Sequence, residues 1–208
     1  MRIHSCCKMS TRFIELLLLV IGIVGCTDNG NDNSPTANTS GSVITKCGDY
    51  ERITVGEYII DNNVWAKGNI TNYQQCIWAN QGSTPLRGGW NWSWPSIGNS
   101  MKAMPQIHYG WTWWEPVSFT TTKLPIKVGN IRDIYAYYNT TVSATGLYNT
   151  TFDLWLTSAS VPTRNNRTRE IMIWVDTNTP NDASFIKRVS INGEEYDLHV
   201  NYDWNVWT

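Results

Sequence analysis

The 208-residue chain is poor in charged residues and in histidine. Lys and Arg number 16 and Asp and Glu 17, so the formal net charge is −1 and no basic surface for nucleic acid is indicated. His4, His108 and His199 are scattered, and neither a metal-site spacing nor a calcium, flavin or nucleotide motif is present. The sequence therefore predicts a protein that uses no nucleic acid, metal ion or organic cofactor.

Helical periodicity is absent from Cys47 onward. Short runs with period-two alternation are separated instead by Gly, Asn, Asp or Pro, which is typical of antiparallel strands. The predicted strands are residues 53–60, 63–65, 76–79, 106–109, 131–139, 141–148, 151–157, 169–176, 185–191, 195–202 and 204–207. Asn192-Gly193 between two of them predicts a type I′ hairpin. The pattern indicates one all-β domain of two stacked antiparallel sheets.

A long apolar run occurs only near the N-terminus. Residues 13–25 are almost entirely apolar and follow three basic residues, but the run is short for a membrane span. Ile23-Val24-Gly25-Cys26 resembles the bacterial lipobox, in which the cysteine is acylated. We therefore predict that residues 1–25 are a lipoprotein signal peptide and that a lipid on Cys26 anchors the protein to the outer membrane. A plain cleaved signal peptide is the alternative.

The segment that follows the signal lacks apolar residues. Residues 27–46 are mostly Asn, Asp, Ser, Thr and Gly, a composition that buries too little apolar surface to fold. We predict that residues 26–46 are a flexible tether and that residues 47–208 form the folded domain.

Cysteine is scarce, with five residues in the chain. Cys6 and Cys7 leave with the predicted signal peptide and Cys26 takes the lipid. Cys47 and Cys76 then remain as a pair in an oxidising compartment, and a disulfide between them is predicted. Two buried free thiols are the alternative.

Tryptophan, by contrast, is abundant, with 12 residues. An indole ring is flat and amphipathic and stacks on the C–H face of a pyranose ring. A tryptophan-rich, weakly charged and secreted domain therefore indicates a polysaccharide ligand, with a tryptophan-rich core as the alternative.

Alternation assigns the faces of two predicted strands. In residues 169–176, Ile171, Ile173 and Val175 point to one face, and Glu170, Met172 and Trp174 point to the other. In residues 151–157, Phe152, Leu154 and Leu156 separate in the same way from Asp153 and Trp155. The aliphatic residues are predicted to lie between the sheets, and the carboxylates and indoles are predicted to line a groove.

The two groove carboxylates are predicted to be neighbours. If the strands pair with Asp153 opposite Glu170, then Thr151 faces Met172 and Trp155 faces Thr168. Two carboxyl groups this close do not both ionise freely, so one keeps a proton and tunes the other as a nucleophile. From spacing alone, two ordinary exposed carboxylates remain the alternative.

The string Glu170-Ile171-Met172-Ile173-Trp174 resembles the nucleophile strand of glycoside hydrolase family 12. Other segments of residues 47–208 resemble this family in the same order. They are Cys47-Gly48-Asp49-Tyr50, Asn62-Asn63-Val64-Trp65, Cys76, Asn149-Thr150-Thr151-Phe152-Asp153-Leu154-Trp155, and the hairpin around Asn192-Gly193.

The resemblance implies a β-jelly roll with an open cleft and retaining endo-hydrolysis of β-1,4-glucans such as cellulose, mixed-linkage glucan or xyloglucan by a monomer. It also implies roles for seven residues: Glu170 as nucleophile, Asp153 as its supporter, Tyr50 and Trp65 as stacking aromatics, Asn63 as a hydrogen-bonding group, and Met172 and Trp174 as the cleft floor.

The sequence departs from the family in the second catalytic carboxyl. The family's acid/base glutamate lies in a C-terminal Phe-Gly-Thr-Glu segment, and no such segment precedes Thr208. Glu115, Glu194 and Glu195 are poor substitutes because of their positions in a loop and at a hairpin tip. The acid/base residue is therefore expected beyond Thr208, and the domain is expected to be incomplete at that end. A non-catalytic carbohydrate-binding sandwich is the competing interpretation.

Overall fold

The computed structural model describes residues 3–9, 16–22, 41–96, 101–114, 124–132, 134–191 and 193–208. Within these ranges regular structure consists of strands and one 3-10 turn at Val128–Asn130, and no helix there is long and apolar enough to cross a membrane. The strands are β1 (Ile3–Met9), β2 (Leu16–Gly22), β3 (Val43–Lys46), β4 (Arg52–Val55), β5 (Tyr58–Asp61), β6 (Gln74–Asn80), β7 (Gly88–Ser93), β8 (Gln106–Tyr109), β9 (Ile126–Lys127), β10 (Ile134–Thr140), β11 (Asn149–Thr157), β12 (Arg167–Thr177), β13 (Ser184–Ile191), β14 (Glu194–Asn201) and β15 (Val206–Trp207).

Most of these strands belong to one large sheet. Its order is β13-β14-β15-β12-β11-β2-β8-β5-β4, and β9 pairs with β2 beside this path. The strands β3, β6 and β7 form a second sheet, and β1 pairs with β10. The pairings are antiparallel except for the parallel pair β12 and β15. The predicted all-β jelly-roll sandwich of antiparallel sheets is confirmed.

The core lies between the large sheet and the smaller ones, in two clusters of buried side chains. One cluster joins the large sheet to the three-stranded sheet and contains Ile53, Ile60, Ile77, Ala79, Trp90 and Ile107. The other contains Val128, Phe152, Leu154 and Leu156, with Ile171, Ile173, Val175 and Ala136 of β10 packed against it. The aliphatic faces predicted from alternation on β11 and β12 are therefore confirmed as core.

Several predicted strand boundaries are wrong. Residues 53–60 form the hairpin of β4 and β5 rather than one strand, because Gly56 adopts a φ of 58° that allows the chain to turn. Residues 63–65 lie in a turn closed by a hydrogen bond from the amide of Lys67 to the carbonyl of Val64, and residues 141–148 form no strand.

After the predicted signal peptide, three described strands were not predicted, namely β3, β7 and β9. The last residues of the predicted tether, Val43–Lys46, form β3 and pair with β6. The strand β7 begins with two glycines, which have low strand propensity. A Cβ atom at Gly88 would lie 2.8 Å from the carbonyl oxygen of Trp78 on the paired strand β6, so glycine permits this close approach. Pairing with β6 thus outweighs the local preference of β7.

Parts of the predicted signal peptide also form strands. β2 lies between β8 and β11 in the large sheet, and β1 pairs with β10.

Cys26, Glu115 and Asn192 lie outside the described residues, so their predicted roles stay predictions. At the predicted hairpin, β13 and β14 are antiparallel, Ile191 pairs with Glu194, and Gly193 has a φ of 87°.

The predicted disulfide is confirmed. Cys47 and Cys76 are bonded with an S–S distance of 2.03 Å. The bond links the segment after β3 to β6 across a sequence separation of 29 residues, and Cys76 is buried. It therefore attaches the start of the folded domain to the second sheet.

Candidate active site

The two predicted catalytic carboxyls, Asp153 and Glu170, lie on neighbouring strands. Asp153 on β11 pairs with Met172 on β12, and Trp155 pairs with Glu170. The predicted register, with Asp153 directly opposite Glu170, is wrong by two residues. A shift of two residues leaves side chains on the same face, so both carboxyls still share one face of the sheet. We call this side of the large sheet, opposite the core, the carboxylate face.

The connection between β11 and β12 explains the observed register. The amide of Ser158 donates to the carbonyl of Asn166 over 2.9 Å, and the Asn166 side chain bridges the carbonyl of Val161 and the amide of Thr163. A register shift between Leu156 and Thr157 then offsets the two strands. Turn geometry and this irregularity set the register. The alternation of apolar residues in the sequence reveals neither of them.

The surroundings of Asp153 favour its protonated form. Asp153 is 2% exposed, and burial raises its pKa well above the ordinary value. The negative charge of Glu170 and the hydrogen bond to Glu170 raise this pKa further. A raised pKa favours a neutral Asp153, which in that form donates its hydrogen bond to the Glu170 carboxylate.

The pKa of Glu170 is raised to about 7, close to neutral pH. Burial is the largest cause of this rise, and the hydrogen bond with Asp153 and the positive charge of Arg167 act in the opposite direction. At neutral pH a large fraction of Glu170 is ionised and only partly hydrated. A carboxylate in this state, held by a neutral donor, is suited to nucleophilic attack.

A cluster of indoles covers the carboxylate face next to Glu170. Trp155 is buried and packs against Trp111, Trp113 and Trp114, which belong to the loop after β8. The ring centroids of Trp113 and Trp155 are 5.4 Å apart, and those of Trp114 and Trp155 are 6.4 Å apart. We did not predict a role for Trp113, Trp114 or Arg167, although the Gly-Trp-Thr-Trp-Trp string directly after a strand is a visible signal.

A buried polar group lies farther along the same face. Asp61 on β5 accepts from Nε of Arg52 over 3.2 Å, and Nε2 of His108 on β8 is 3.5 Å from the same carboxylate oxygen. The His108 ring is 5.9 Å from that of Trp114, which connects this group to the indole cluster. Asp61 is therefore paired with Arg52, and His108 packs between Asp61 and the indole cluster. In the part of the chain that is described, no group of three or more His, Cys, Asp or Glu residues is arranged to hold a metal ion.

The predicted cleft residues fall into two groups. Met172 and Trp174 lie on β12 with Glu170, and Thr151 of β11 pairs with Trp174. Tyr50 and Trp65 flank the β4–β5 hairpin at the other end of the sheet and are 50% and 52% exposed. Four strand spacings separate β12 from β5 in the sheet order, or roughly 19 Å at about 4.8 Å per strand. Exposed aromatic rings at that distance suit a long ligand that crosses the strands, and their roles stay predictions.

Asn63 lies beside Trp65 and makes its hydrogen bonds within the protein. It is buried, and its side-chain oxygen accepts a hydrogen bond from the amide of Trp65 over 3.0 Å. Its carbonyl accepts from the amide of Met104 over 3.0 Å. In the structure Asn63 therefore shapes the turn that carries Trp65, and the predicted contact with a sugar hydroxyl remains untested.

An ionic contact joins the segments that carry Tyr50 and Trp65. The Lys67 ammonium and the Tyr73 hydroxyl both donate to the Asp49 carboxylate, and the hydrogen bond from Lys67 is the main cause of the lowered pKa of Asp49. The Tyr73 ring stacks on Trp94 with centroids 4.0 Å apart. Tyr50 and Trp65 thus belong to loops that are tied together beside the disulfide.

Comparisons with known proteins identify relatives of the chain. No protein-family model matches the chain. Endoglucanase S of Pectobacterium parmentieri is 32% identical over 179 residues, which are 80% of this chain and 66% of that protein. The xyloglucan-specific endo-beta-1,4-glucanase A of Emericella nidulans is 29% identical over 132 residues, which are 62% of this chain and 48% of that protein. The chain thus spans about half to two thirds of these relatives.

A solved structure shows the same fold. The family 12 xyloglucanase from Bacillus licheniformis, in complex with ligand, superimposes with a TM-score of 0.62 at 26% identity, covering 79% of this chain and 73% of that one. Together with the Glu170 strand and its Asp153 partner, these matches show that the chain belongs to glycoside hydrolase family 12.

Proposed function

We propose that the protein is an endo-acting, retaining β-1,4-glucanase with Glu170 as its nucleophile. The observation that carries this proposal is that Asp153 and Glu170 share the carboxylate face on paired strands, where burial raises the pKa of both. A non-catalytic carbohydrate-binding sandwich needs exposed aromatics but has no use for a buried carboxyl pair. The names of the relatives, an endoglucanase and a xyloglucan-specific endo-β-1,4-glucanase, support a β-1,4-glucan as substrate.

In the proposed mechanism the Glu170 carboxylate attacks the anomeric carbon and forms a glycosyl ester, and the bond to the leaving oxygen breaks. Water then hydrolyses the ester and releases Glu170 as a carboxylate. Asp153 stabilises the charged form of Glu170 before attack and again when the ester is cleaved, because its hydrogen bond is stronger to a carboxylate than to an ester. Its own proton stays on Asp153 throughout.

A second carboxyl is required to protonate the leaving oxygen and later to activate water. Two other described carboxyls of the carboxylate face are engaged elsewhere, since Asp61 is paired with Arg52 and Asp176 accepts from the Tyr148 hydroxyl over 3.1 Å. We therefore assign the acid/base role to neither of them.

The pair predicts a specific pH dependence. Glu170 must be ionised to attack, so kcat/KM is expected to rise with pH through the Glu170 pKa of about 7. In Asp153→Leu the hydrogen bond that lowers this pKa is lost, and the acidic limb moves to higher pH. Asp153→Asn keeps a donor, so its acidic limb stays near that of the unmodified protein. The measurement is kcat/KM against pH on a soluble β-glucan, and equal limbs for the Leu and Asn variants would contradict the role of Asp153.

We also propose that the mature protein is a lipoprotein of the outer membrane. The lipobox-like string that ends at Cys26 supports this proposal. The Cys26→Ser variant is expected to lose its acyl mass and to leave the membrane fraction, whereas Cys6→Ser, in the predicted signal peptide, behaves as the unmodified protein. Mass spectrometry of the mature N-terminus and membrane fractionation measure both effects. Unchanged fractionation of Cys26→Ser would argue against the anchor.

A further inference from the structure

Arg167 packs its guanidinium against the indole cluster at the start of β12. Its central carbon is 4.3 Å from the centroid of the Trp113 ring and 5.8 Å from that of the Trp155 ring. The backbone of Arg167 is held by pairing with Thr157 and by a hydrogen bond from its amide to the carbonyl of Thr163 over 3.2 Å. The Arg167 backbone is therefore fixed at the end of a paired strand, and its guanidinium packs over two indole rings.

The rings that Arg167 contacts lead directly to the nucleophile. Trp155 is the cross-strand partner of Glu170, and Trp113 packs on Trp155 and, edge to face, on Trp114 at 5.3 Å. A planar guanidinium stacks on an indole with electrostatic attraction, which an ammonium group on a flexible stem reproduces less well. Arg167 thus packs on Trp113 and helps to hold the loop after β8 against Trp155, the cross-strand partner of Glu170.

The charge of Arg167 acts on the same carboxylate. It lowers the pKa of Glu170, in opposition to burial, which raises it. On the strands that flank Glu170, the other titratable group that faces it is Asp153 on β11, because β15 and residues 111–114 contain no ionisable side chain. The strand β1 also contacts β12, and its sequence includes the titratable residues His4 and Lys8.

We propose that Arg167 is a positioning residue for the hydrolysis, which fixes the Trp113 loop on Trp155 and holds a positive charge beside the Glu170 carboxylate. This inference rests on the proposed role of Glu170. The charge of Glu170 is absent in the glycosyl ester and present before attack and after hydrolysis. Arg167 therefore favours the ionised nucleophile at the start of the cycle and makes Glu170 a better leaving group at the end.

The test compares Arg167→Met, Arg167→Lys and the matched control Arg164→Met in the full chain. Arg164 is exposed in the loop that precedes β12, so its replacement removes the same charge nearby without touching the indoles. The carboxyl carbon of Glu170 is titrated by NMR after 13C labelling of glutamate, with Glu170→Gln for assignment. This measurement needs no turnover. Thermal melting identifies any variant that does not fold.

We expect the Glu170 titration to move to higher pH by roughly half a unit or more in Arg167→Met, and to stay close to that of the unmodified protein in Arg167→Lys and Arg164→Met. The exciton signal of the packed indoles in the circular dichroism spectrum is expected to weaken in both Arg167 variants. Equal titrations in Arg167→Met and Arg164→Met, or an unchanged exciton signal in both Arg167 variants, would overturn the proposal.

A separate reaction distinguishes this proposal from the proposed function. A 2,4-dinitrophenyl cello-oligosaccharide has a leaving group that needs no proton, so its release and a mass adduct on Glu170 report nucleophilic attack alone. Absence of both dinitrophenolate release and the adduct in the unmodified protein counts against Glu170 as the nucleophile, whereas the NMR titration still decides the role of Arg167.

Discussion

Replacing Glu170 by Gln is expected to reduce hydrolysis of a soluble β-glucan by at least about 10³-fold while oligosaccharide binding stays nearly unchanged. The amide has the same shape and still meets Asp153, but it does not attack the anomeric carbon. A nucleophile contributes mainly to the transition state, so the loss falls on kcat rather than on ground-state binding. The measurements are released reducing sugar and calorimetric binding of an oligosaccharide.

A matched control is available on the same strand. Asp176→Asn also converts a carboxyl to an amide on the carboxylate face of β12, at a residue that accepts from Tyr148 and that we place outside the chemistry. It is expected to keep turnover within a few-fold of the unmodified enzyme. Near-normal turnover of Glu170→Gln would show that the nucleophile is misassigned. Equal losses in both variants would point to a general effect on the strand.

Removing the disulfide with Cys47→Ser and Cys76→Ser together is expected to lower the free energy of unfolding by about 3 kcal/mol. The bond closes a loop with a sequence separation of 29 residues, so its loss increases the conformational entropy of the unfolded chain. It also frees the segment whose Tyr50 amide donates to the carbonyl of Asn62 over 3.0 Å. We therefore expect weaker oligosaccharide binding in addition to the lower stability.

Urea unfolding of the double variant, compared with the unmodified protein under oxidising and reducing conditions, measures this effect. Reduction of the unmodified protein should reproduce the stability of the double variant, and the double variant itself should not respond to reductant. A change in free energy well below 1 kcal/mol would mean that this loop is already restricted in the unfolded chain.

The cleft aromatics illustrate how far sequence reasoning reached. Tyr50 and Trp65 were identified by resemblance, and both are exposed in the structure as a sugar-stacking role requires. Asn63, identified in the same way, is buried and hydrogen-bonded to its own turn. A motif transfers the position of a residue along the chain, but the partners of its side chain depend on how neighbouring loops pack.

The signals that were overlooked have a common physical character. β7 forms because β6 offers it backbone partners, although its two leading glycines disfavour a strand. Trp113 and Arg167 are 54 positions apart in the numbering and meet only because the loop after β8 folds back over β11 and β12. Contacts between distant segments leave no mark in local composition or periodicity.

The sequence by itself determined the all-β class, the faces of β11 and β12, the disulfide pair and the carboxyls Asp153 and Glu170. They follow from the period-two alternation, from the number of cysteines and from the motif Glu170-Ile171-Met172-Ile173-Trp174. These features are local or can be counted in the sequence. Only the tertiary structure decided the two-residue change in register, the burial that raises the pKa of Asp153, and the packing of Arg167 on the indoles beside Glu170. The physical reason is that register, burial and electrostatic environment arise from strands and loops that are distant in sequence and become neighbours only in the folded sheet.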